Sequence, residues 1–309
     1  MNATLLRLVP RGPFHFGVDP SGEPSPTVGS DSLFSALCLA MRDLFGPMRL
    51  ASFFRIIRSS SDAPPLRFSS ALPYAGDVLF PPNPAGEGWI SQRLFEAAVN
   101  GEPLGEVHRA QDGRLMASRA ERLPPGPVWV VEEVRRARVS HRGAEPFTDR
   151  LIRFAPGCGL AIIAQIDADW RDDILAAMRS LGDSGLGGRR SWGAGQFDLG
   201  VEPFEIREPD RPGRYCTLSL YLPSARELES GVLNEPARYR IEERSGWTAG
   251  SSGSVRHRSI RMLAAGSVLA APAGRPPIGR LADVTPAGYR DHEVFRAGWA
   301  LPVGMAGAA

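Results

Sequence analysis

The segment GLGGRRSWGAGQF, Gly185 to Phe197, packs five glycines, two adjacent arginines and a tryptophan into thirteen residues. Two nucleotide-binding loops are excluded by its letters. A Walker A loop needs GxxxxGK[ST], and the chain contains no lysine. A dinucleotide fingerprint needs glycine where Arg190 stands. It also follows a strand, whereas this segment follows a helical pattern. What remains is close backbone approach. Glycine lacks Cβ, so it reaches positive φ and brings its N–H near a phosphate oxygen. Successive N–H groups then form an anion-binding nest. Arg189 and Arg190 add charge-assisted bonds, and Trp192 offers a face for a base. A plainer reading stays open: a helix C-cap, then a glycine-rich turn into a strand, with Trp192 in the core.

Working outward, DADWRDDILAAMRSLGD before the segment reads as a helix with acidic residues in its first turn, as the helix dipole favours. GQFDLGVEPFEI after it reads as a strand. Further upstream, VWVVEEVRRARVSHR and DRLIRFAPGCGLAIIAQI read as strands joined by a hairpin around Gly143–Pro146. ATLLRLV opens the chain as another strand. In SDSLFSALCLAMRDLFG the apolar residues Leu33, Phe34, Leu37, Met41, Leu44 and Phe45 fall at helical spacing, with Ser30 or Asp31 as N-cap and Gly46-Pro47 as a stop. A second short helix is expected over Leu50–Arg58, and LRFSSALPY as an extended stretch. Much of 100–127 is rich in Pro, Gly and charge, and ASRAERLPPGP reads as a mobile or partner-dependent insertion rather than core. The order is βαββαβ, which predicts an α+β, ferredoxin-like (RRM-like) sheet with an elaborated middle. From about residue 205 the pattern restarts. GRYCTLSLYLP, ARYRIEERSGW, HRSIRMLAAGSVLA and VFRAGWALPV read as strands and SARELES as a short helix. The expectation is a second, degenerate α+β domain, with domains over 1–204 and 205–309, an insertion over about 76–147 and the glycine-rich loop over 185–195.

The 309 residues, 43% hydrophobic and 23% charged, have the composition of a soluble globular chain. No apolar run is long enough to span a membrane. MNATLLRLVPRGPF lacks a signal-peptide pattern, so a cytoplasmic location is expected. Cys38, Cys158 and Cys216 are far apart, and the five histidines show no HExxH spacing. No disulfide framework, metal site or cofactor is expected. Net charge is only +2, but all 36 basic residues are arginine, a planar fork suited to phosphates and to stacking on bases. Two further clusters stand out. Phe14-His15-Phe16-Gly17 follows the first strand and places two aromatics at i, i+2. Arg256, Arg258 and Arg261 lie beside a glycine/serine loop with Trp247.

FHFG followed by SDSLFSALC resembles the N-terminal signature of the fourth subunit of type III-A (Csm) CRISPR interference complexes. GLGGRRSWGAGQF is similar to the G-rich loop shared across RAMP proteins. SGW followed by a basic strand ending in AAGSVLA, and HEVFRAGWALPV near the end, resemble that subunit's C-terminal region. The four motifs fall in order from residue 5 to residue 303, most loosely over 76–147. The resemblance implies two RRM-like ferredoxin folds and a hairpin thumb in the insertion. It implies a non-catalytic subunit that caps the base of the complex and holds the repeat-derived 5′ tag of the CRISPR RNA. Its implied partners are the large polymerase-like subunit and a backbone RAMP subunit. It also implies that His15, Phe16, Gly17, Ser30, Asp31, Ser32, Arg150, Gly185, Gly187, Gly188, Arg189, Arg190 and Gly193 line the RNA path. Trp192, Arg256, His257 and Arg258 join them as RNA-binding candidates. The rival is a metal-independent CRISPR RNA-processing endoribonuclease with His15 as general acid or base. Its weakness is that the letters nominate no second acid/base partner, and N-capping explains Asp31. A module that binds only protein is a third reading.

Overall fold

The computed structural model describes residues 1–18, 22–60, 63–84, 86–140, 143–250 and 253–307. The first two-thirds of the chain run through β1 (Asn2–Pro10), α1 (Ser30–Phe45), α2 (Pro47–Ser59), β2 (Leu66–Phe68), β3 (Leu72–Ala75), β4 (Val78–Leu79) and β5 (Trp89–Ile90). Then come α3 (Gln92–Val99), β6 (Val107–Ala110), β7 (Leu115–Ser118), β8 (Trp129–Ser140), β9 (Gly143–Phe154), β10 (Cys158–Ile166), α4 (Arg171–Ser184) and β11 (Phe197–Glu205). The main sheet has the order β11-β1-β10-β3-β4, with β2 also on β10. Its pairings are antiparallel, as in Leu6↔Ile162 and Leu6↔Val201.

Period-two alternation along β1 sends Leu6 and Leu8 to one face and Leu5 to the other. Leu6 and Leu8 pack with Leu37 and Met41 of α1 and Met178 and Leu181 of α4. Leu5 packs with Phe95 of α3 and with Leu301 near the chain's end. Both faces are therefore covered. That is why β10, CGLAIIAQI, reads as an unbroken apolar run: seven of its nine residues are buried. Among the described residues no helix is long and apolar enough to cross a membrane.

The last third holds β12 (Arg214–Thr217), α5 (Ala225–Glu229), β13 (Ile241–Arg244), β14 (Trp247–Gly250), β15 (Gly253–Arg256), β16 (Ile260–Leu263), β17 (Val268–Ala270), β18 (Gly279–Asp283), β19 (Phe295–Trp299) and β20 (Pro302–Met305). Its strands form a small β17-β12-β20 sheet and the pairs β13-β16, β14-β15 and β18-β19. The chain is thus a mixed α and β protein with small sheets and few helices.

Several expectations need correction. The cap of α1 is Gly29, not Ser30 or Asp31. A Cβ there would lie 2.8 Å from both Asp31 Oδ1 and Leu220 Cδ1, so packing demands glycine. The second helix starts at Pro47, since proline suits a first helical position, where its missing N–H costs nothing. DRLIRFAPGCGLAIIAQI is two strands with a turn at 155–157. The hairpin does not turn at Gly143–Pro146. Ser140 pairs with Gly143, so Gly143 to Pro146 lie within β9, and residues 141–142 lie outside the described residues. Of the stretch expected as an insertion, 117–127, Ala117 and Ser118 are buried, and so are Leu115 and Val128 on either side of it.

Candidate nucleic-acid interface

The glycine-rich loop leaves α4 at Gly185, whose N–H donates to the Leu181 carbonyl at 2.8 Å. It then closes on itself, with the Leu186 N–H donating to the Gly195 carbonyl at 2.9 Å. It is also stitched to the FHFG turn. The Gly188 N–H reaches the His15 carbonyl at 2.8 Å, and the Gly195 N–H reaches Pro13 at 2.8 Å. Two glycines are required by this approach. At Gly187, φ 95°, a Cβ would lie 2.5 Å from the His15 carbonyl oxygen. At Gly195, φ 84°, it would lie 2.2 Å from that of Leu186. The Gly188 and Gly195 N–H groups are therefore engaged inside the protein and are not part of an anion nest. Arg189 also adopts the left-handed region, at φ 61°, unusual for a residue with a Cβ.

The FHFG turn sits between the loop and the hairpin. Phe14 is fully buried and its ring stacks on Phe16 at 5.2 Å. Phe14 and Ile152 of β9 exchange backbone hydrogen bonds of 2.7 and 2.8 Å. His15 is half-buried against Gly188, and Gly17 has open space where a Cβ would point.

The hairpin β8–β9 completes the surface. Arg136 and Phe147 are direct cross-strand partners, and Asp149 lies two residues along the Phe147 face. Trp192 packs here, with its ring centroid 6.3 Å from that of Phe147. The Arg136 and Arg189 guanidiniums lie over the Trp192 ring, 4.3 and 4.8 Å from its centroid. Arg189 Nε donates to Asp149 Oδ2 at 2.8 Å. Trp192 is thus not a core residue, being 45% exposed, but its ring is already partnered by cations. Arg150, on the opposite face, pairs with Glu23 at 2.6 Å. Arg190 is exposed and forms no ion pair among the described residues.

Ser30, Asp31 and His257 need correction as path-lining residues, because all three are buried. Asp31 accepts bonds from Arg244 Nη2 at 2.9 Å and Arg296 Nη1 at 3.0 Å. Burial pushes its carboxyl up, but the two arginines outweigh burial and hold it below the ordinary value of 3.8. Ser32, half-buried, accepts from both arginines at 3.2 Å. The Ser30 hydroxyl accepts from the Leu220 N–H at 3.0 Å. The SDS turn therefore ties the last third of the chain to the first helix. Arg256 and Arg258 remain exposed, donating to Ser245 Oγ and the Asp283 carbonyl. Trp247, directly opposite Arg256, is 72% exposed.

Sequence reasoning missed Arg136, Phe147 and Asp149. Their signal lay in the alternation of RRARV and GAEPFTD, readable only once the hairpin register is known. No cluster of three metal-ligating side chains occurs among the described residues.

Comparison with known proteins agrees with this architecture. Residues 211–305 match the family model of the CRISPR Csm4 C-terminal domain. The Csm4 protein of the CRISPR system of Thermococcus onnurineus (strain NA1) is 25% identical, over 97% of this chain and 96% of its own. Two solved structures share the fold end to end. One is a Csm3–Csm4 subcomplex of the type III-A CRISPR-Cas interference complex, at TM-score 0.67 and 15% identity over 99% of this chain and 100% of that one. The other is a Csm1–Csm4 cassette in complex with cA4, at TM-score 0.64 and 19% identity, covering both chains fully. Fold and sequence together make the chain similar to Csm4 proteins over its whole length. Over residues 211–305 it carries a Csm4 C-terminal domain.

Proposed function

We propose that this chain is the non-catalytic RNA-binding subunit that caps the base of a type III-A effector complex in the cytoplasm. It holds the repeat-derived 5′ tag of the CRISPR RNA and docks the large polymerase-like subunit on one side and a backbone RAMP subunit on the other. The observation that carries this reading is convergence. The glycine-rich loop, the FHFG turn and the root of the β8–β9 hairpin, distant in sequence, are joined backbone to backbone at Gly188–His15 and Phe14–Ile152. They gather Arg136, Arg189 and Trp192 into one partly exposed cluster, with exposed Arg190 next along the chain, a concentration of arginines that suits the phosphates of single-stranded nucleic acid. The partner assignment is supported by the relatives that share the fold end to end, solved with Csm1 and with Csm3.

The same reading takes residues 1–204 as a ferredoxin-like domain, supported by its strand-helix order and the sheet order β11-β1-β10-β3. Residues 205–309 are its degenerate counterpart, with the paired strands reduced to short ladders. The long hairpin β8–β9 is the thumb. RNA cleavage by this chain is disfavoured on two grounds. The Asp31 carboxylate is sequestered by Arg244 and Arg296. His15 has no carboxylate or second imidazole bonded to it among the described residues.

The test is purification of the chain from its own host, with bound RNA sequenced and bound proteins identified. RNAs with one uniform repeat-derived 5′ end, together with a large polymerase-like subunit, are expected. A chain recovered alone, or with repeat RNA that it cleaves on incubation, would overturn the proposal and make His15 the residue to test.

A further inference from the structure

We infer that Arg136 and Arg189 form one preformed phosphate site at the root of the hairpin, with Asp149 as an internal counter-ion that a backbone phosphate of single-stranded RNA displaces. This deepens the RNA-binding reading above and rests on it. Two guanidiniums share a single carboxylate oxygen: Asp149 Oδ2 lies 2.8 Å from Arg189 Nε and 3.9 Å from Arg136 Nε. Only the first contact is a hydrogen bond. The cluster carries two positive charges against one negative, so it is under-compensated. Arg136 Nε is buried and has no hydrogen-bond partner. A buried donor without an acceptor is costly and uncommon, and a ligand oxygen would relieve it.

The cations are also held in place before any ligand arrives. Both guanidiniums lie over the Trp192 ring, which fixes their planes and removes side-chain freedom that binding would otherwise cost. Trp192 is then a positioning residue for the arginines and not a platform for a base. The left-handed backbone at Arg189 is what brings its side chain back over that ring, and such strain is retained where surrounding structure enforces it. The site is open to a polymer: the Arg189 side chain is 39% exposed, while Asp149 is nearly covered. A phosphate approaching from solvent meets the guanidiniums first. Its bidentate bonds to them are stronger than the single contact that Asp149 supplies.

The experiment is fluorescence anisotropy of a labelled oligouridylate on the full chain, at salt between about 50 and 200 mM. Arg136→Ala is expected to weaken binding about tenfold and to flatten the salt slope by about 0.7, one single-strand phosphate. Arg136→Lys restores the slope but not the affinity, because lysine keeps the charge and loses the planar fork. Asp149→Asn binds several-fold more tightly. If Arg136→Ala misfolds by its melting profile, the Arg136→Lys and Asp149→Asn comparisons still decide. An unchanged slope in Arg136→Ala, or weaker binding by Asp149→Asn, would overturn the site. If Arg190→Ala weakens binding while Arg136→Ala does not, only this site fails. If the wild-type chain does not bind the oligouridylate at all, the RNA-binding reading itself fails.

Discussion

Arg296 reaches back across 265 positions of sequence to Asp31, placing Nη1 3.0 Å from a carboxylate oxygen that has no exposure to solvent. Arg244 holds the other oxygen at 2.9 Å. Asp31 is therefore the point where two strands of the last third are fastened to the first helix. Removing it strands two guanidiniums in a buried site. Breaking such a pair from one side costs roughly 3–5 kcal/mol. Asp31→Ala is expected to lose that much in urea unfolding, whatever it does to RNA. A loss under about 1 kcal/mol would show that the pair is not the fastening it resembles.

The same cluster sets a pH dependence through His257. Its Nε2 lies 2.9 Å from Arg296 Nη2, and its Nδ1 lies 2.8 Å from the Arg258 carbonyl. A guanidinium only donates, so Nε2 accepts and the ring proton sits on Nδ1. Burial, then the charge of Arg296, push the imidazole below its ordinary value near 6.5, against the Arg258 carbonyl and Asp31, which pull it up. The unfolded chain therefore binds more protons than the folded one just below that value. This stabilisation is complete above pH 6.5 and declines as pH falls from there toward the lowered folded value. Urea midpoints measured between pH ~5 and ~7 should fall with acid in the wild type. His257→Gln should be the flatter of the two; parallel curves would remove His257 from the cause.

The seam between the glycine-rich loop and the FHFG turn tolerates no side chain at Gly187. Its φ of 95° is costly for alanine, and the added Cβ would meet the His15 carbonyl at 2.5 Å and the Phe16 ring at 3.0 Å. The backbone strain alone is about 1–2 kcal/mol. Gly187→Ala is expected to part loop from turn and to weaken oligouridylate binding more than tenfold, while the sheet core, centred on Leu6 and Ile162, stays folded. Gly17→Ala, where a Cβ would meet nothing within 4 Å, serves as the comparison for strain without a clash. Equal RNA affinities for the two variants would separate the seam from binding.

The periodic parts of the fold were legible because their burial is local. Leu33, Phe34, Leu37 and Met41 mark one helical stripe, and that stripe is what α1 buries. The glycine-rich loop was legible as a place of close approach, since only backbone crowding explains so many glycines in a row of polar letters. What it approaches was not. Phe147 and Arg136 meet Trp192, and Asp149 meets Arg189, only through the register of a hairpin in which Gly143 to Pro146, where the letters suggest a turn, already belong to β9. Asp31 reads locally as a helix cap because capping is a short-range pattern. Its actual partners come from 213 and 265 residues away, and no spacing rule reports them. The proline-rich stretch before the hairpin reads as a mobile or partner-dependent insertion, and the buried positions in and beside it, Ala117 with Leu115 and Val128, are too sparse for composition to reveal.

Arg190 separates long-range attraction from a built site. It is exposed and forms no ion pair among the described residues, whereas its neighbour Arg189 is committed to Asp149 at 2.8 Å. An unpaired cation releases counter-ions fully when a phosphate arrives, at a slope of about −0.7 per single-strand phosphate in log K against log salt. Arg190→Ala should therefore flatten the slope by about that amount and leave the melting temperature unchanged, since nothing in the fold leans on it. Arg189→Ala should cost stability as well, because it leaves the nearly covered Asp149 carboxylate with only the long contact to Arg136. The double variant should lose about one to one and a half units of slope. A wild-type slope in Arg190→Ala would mean that the RNA passes on the Arg136 side of the loop only. A full double-variant loss in Arg189→Ala alone would mean that Arg190 contacts no phosphate.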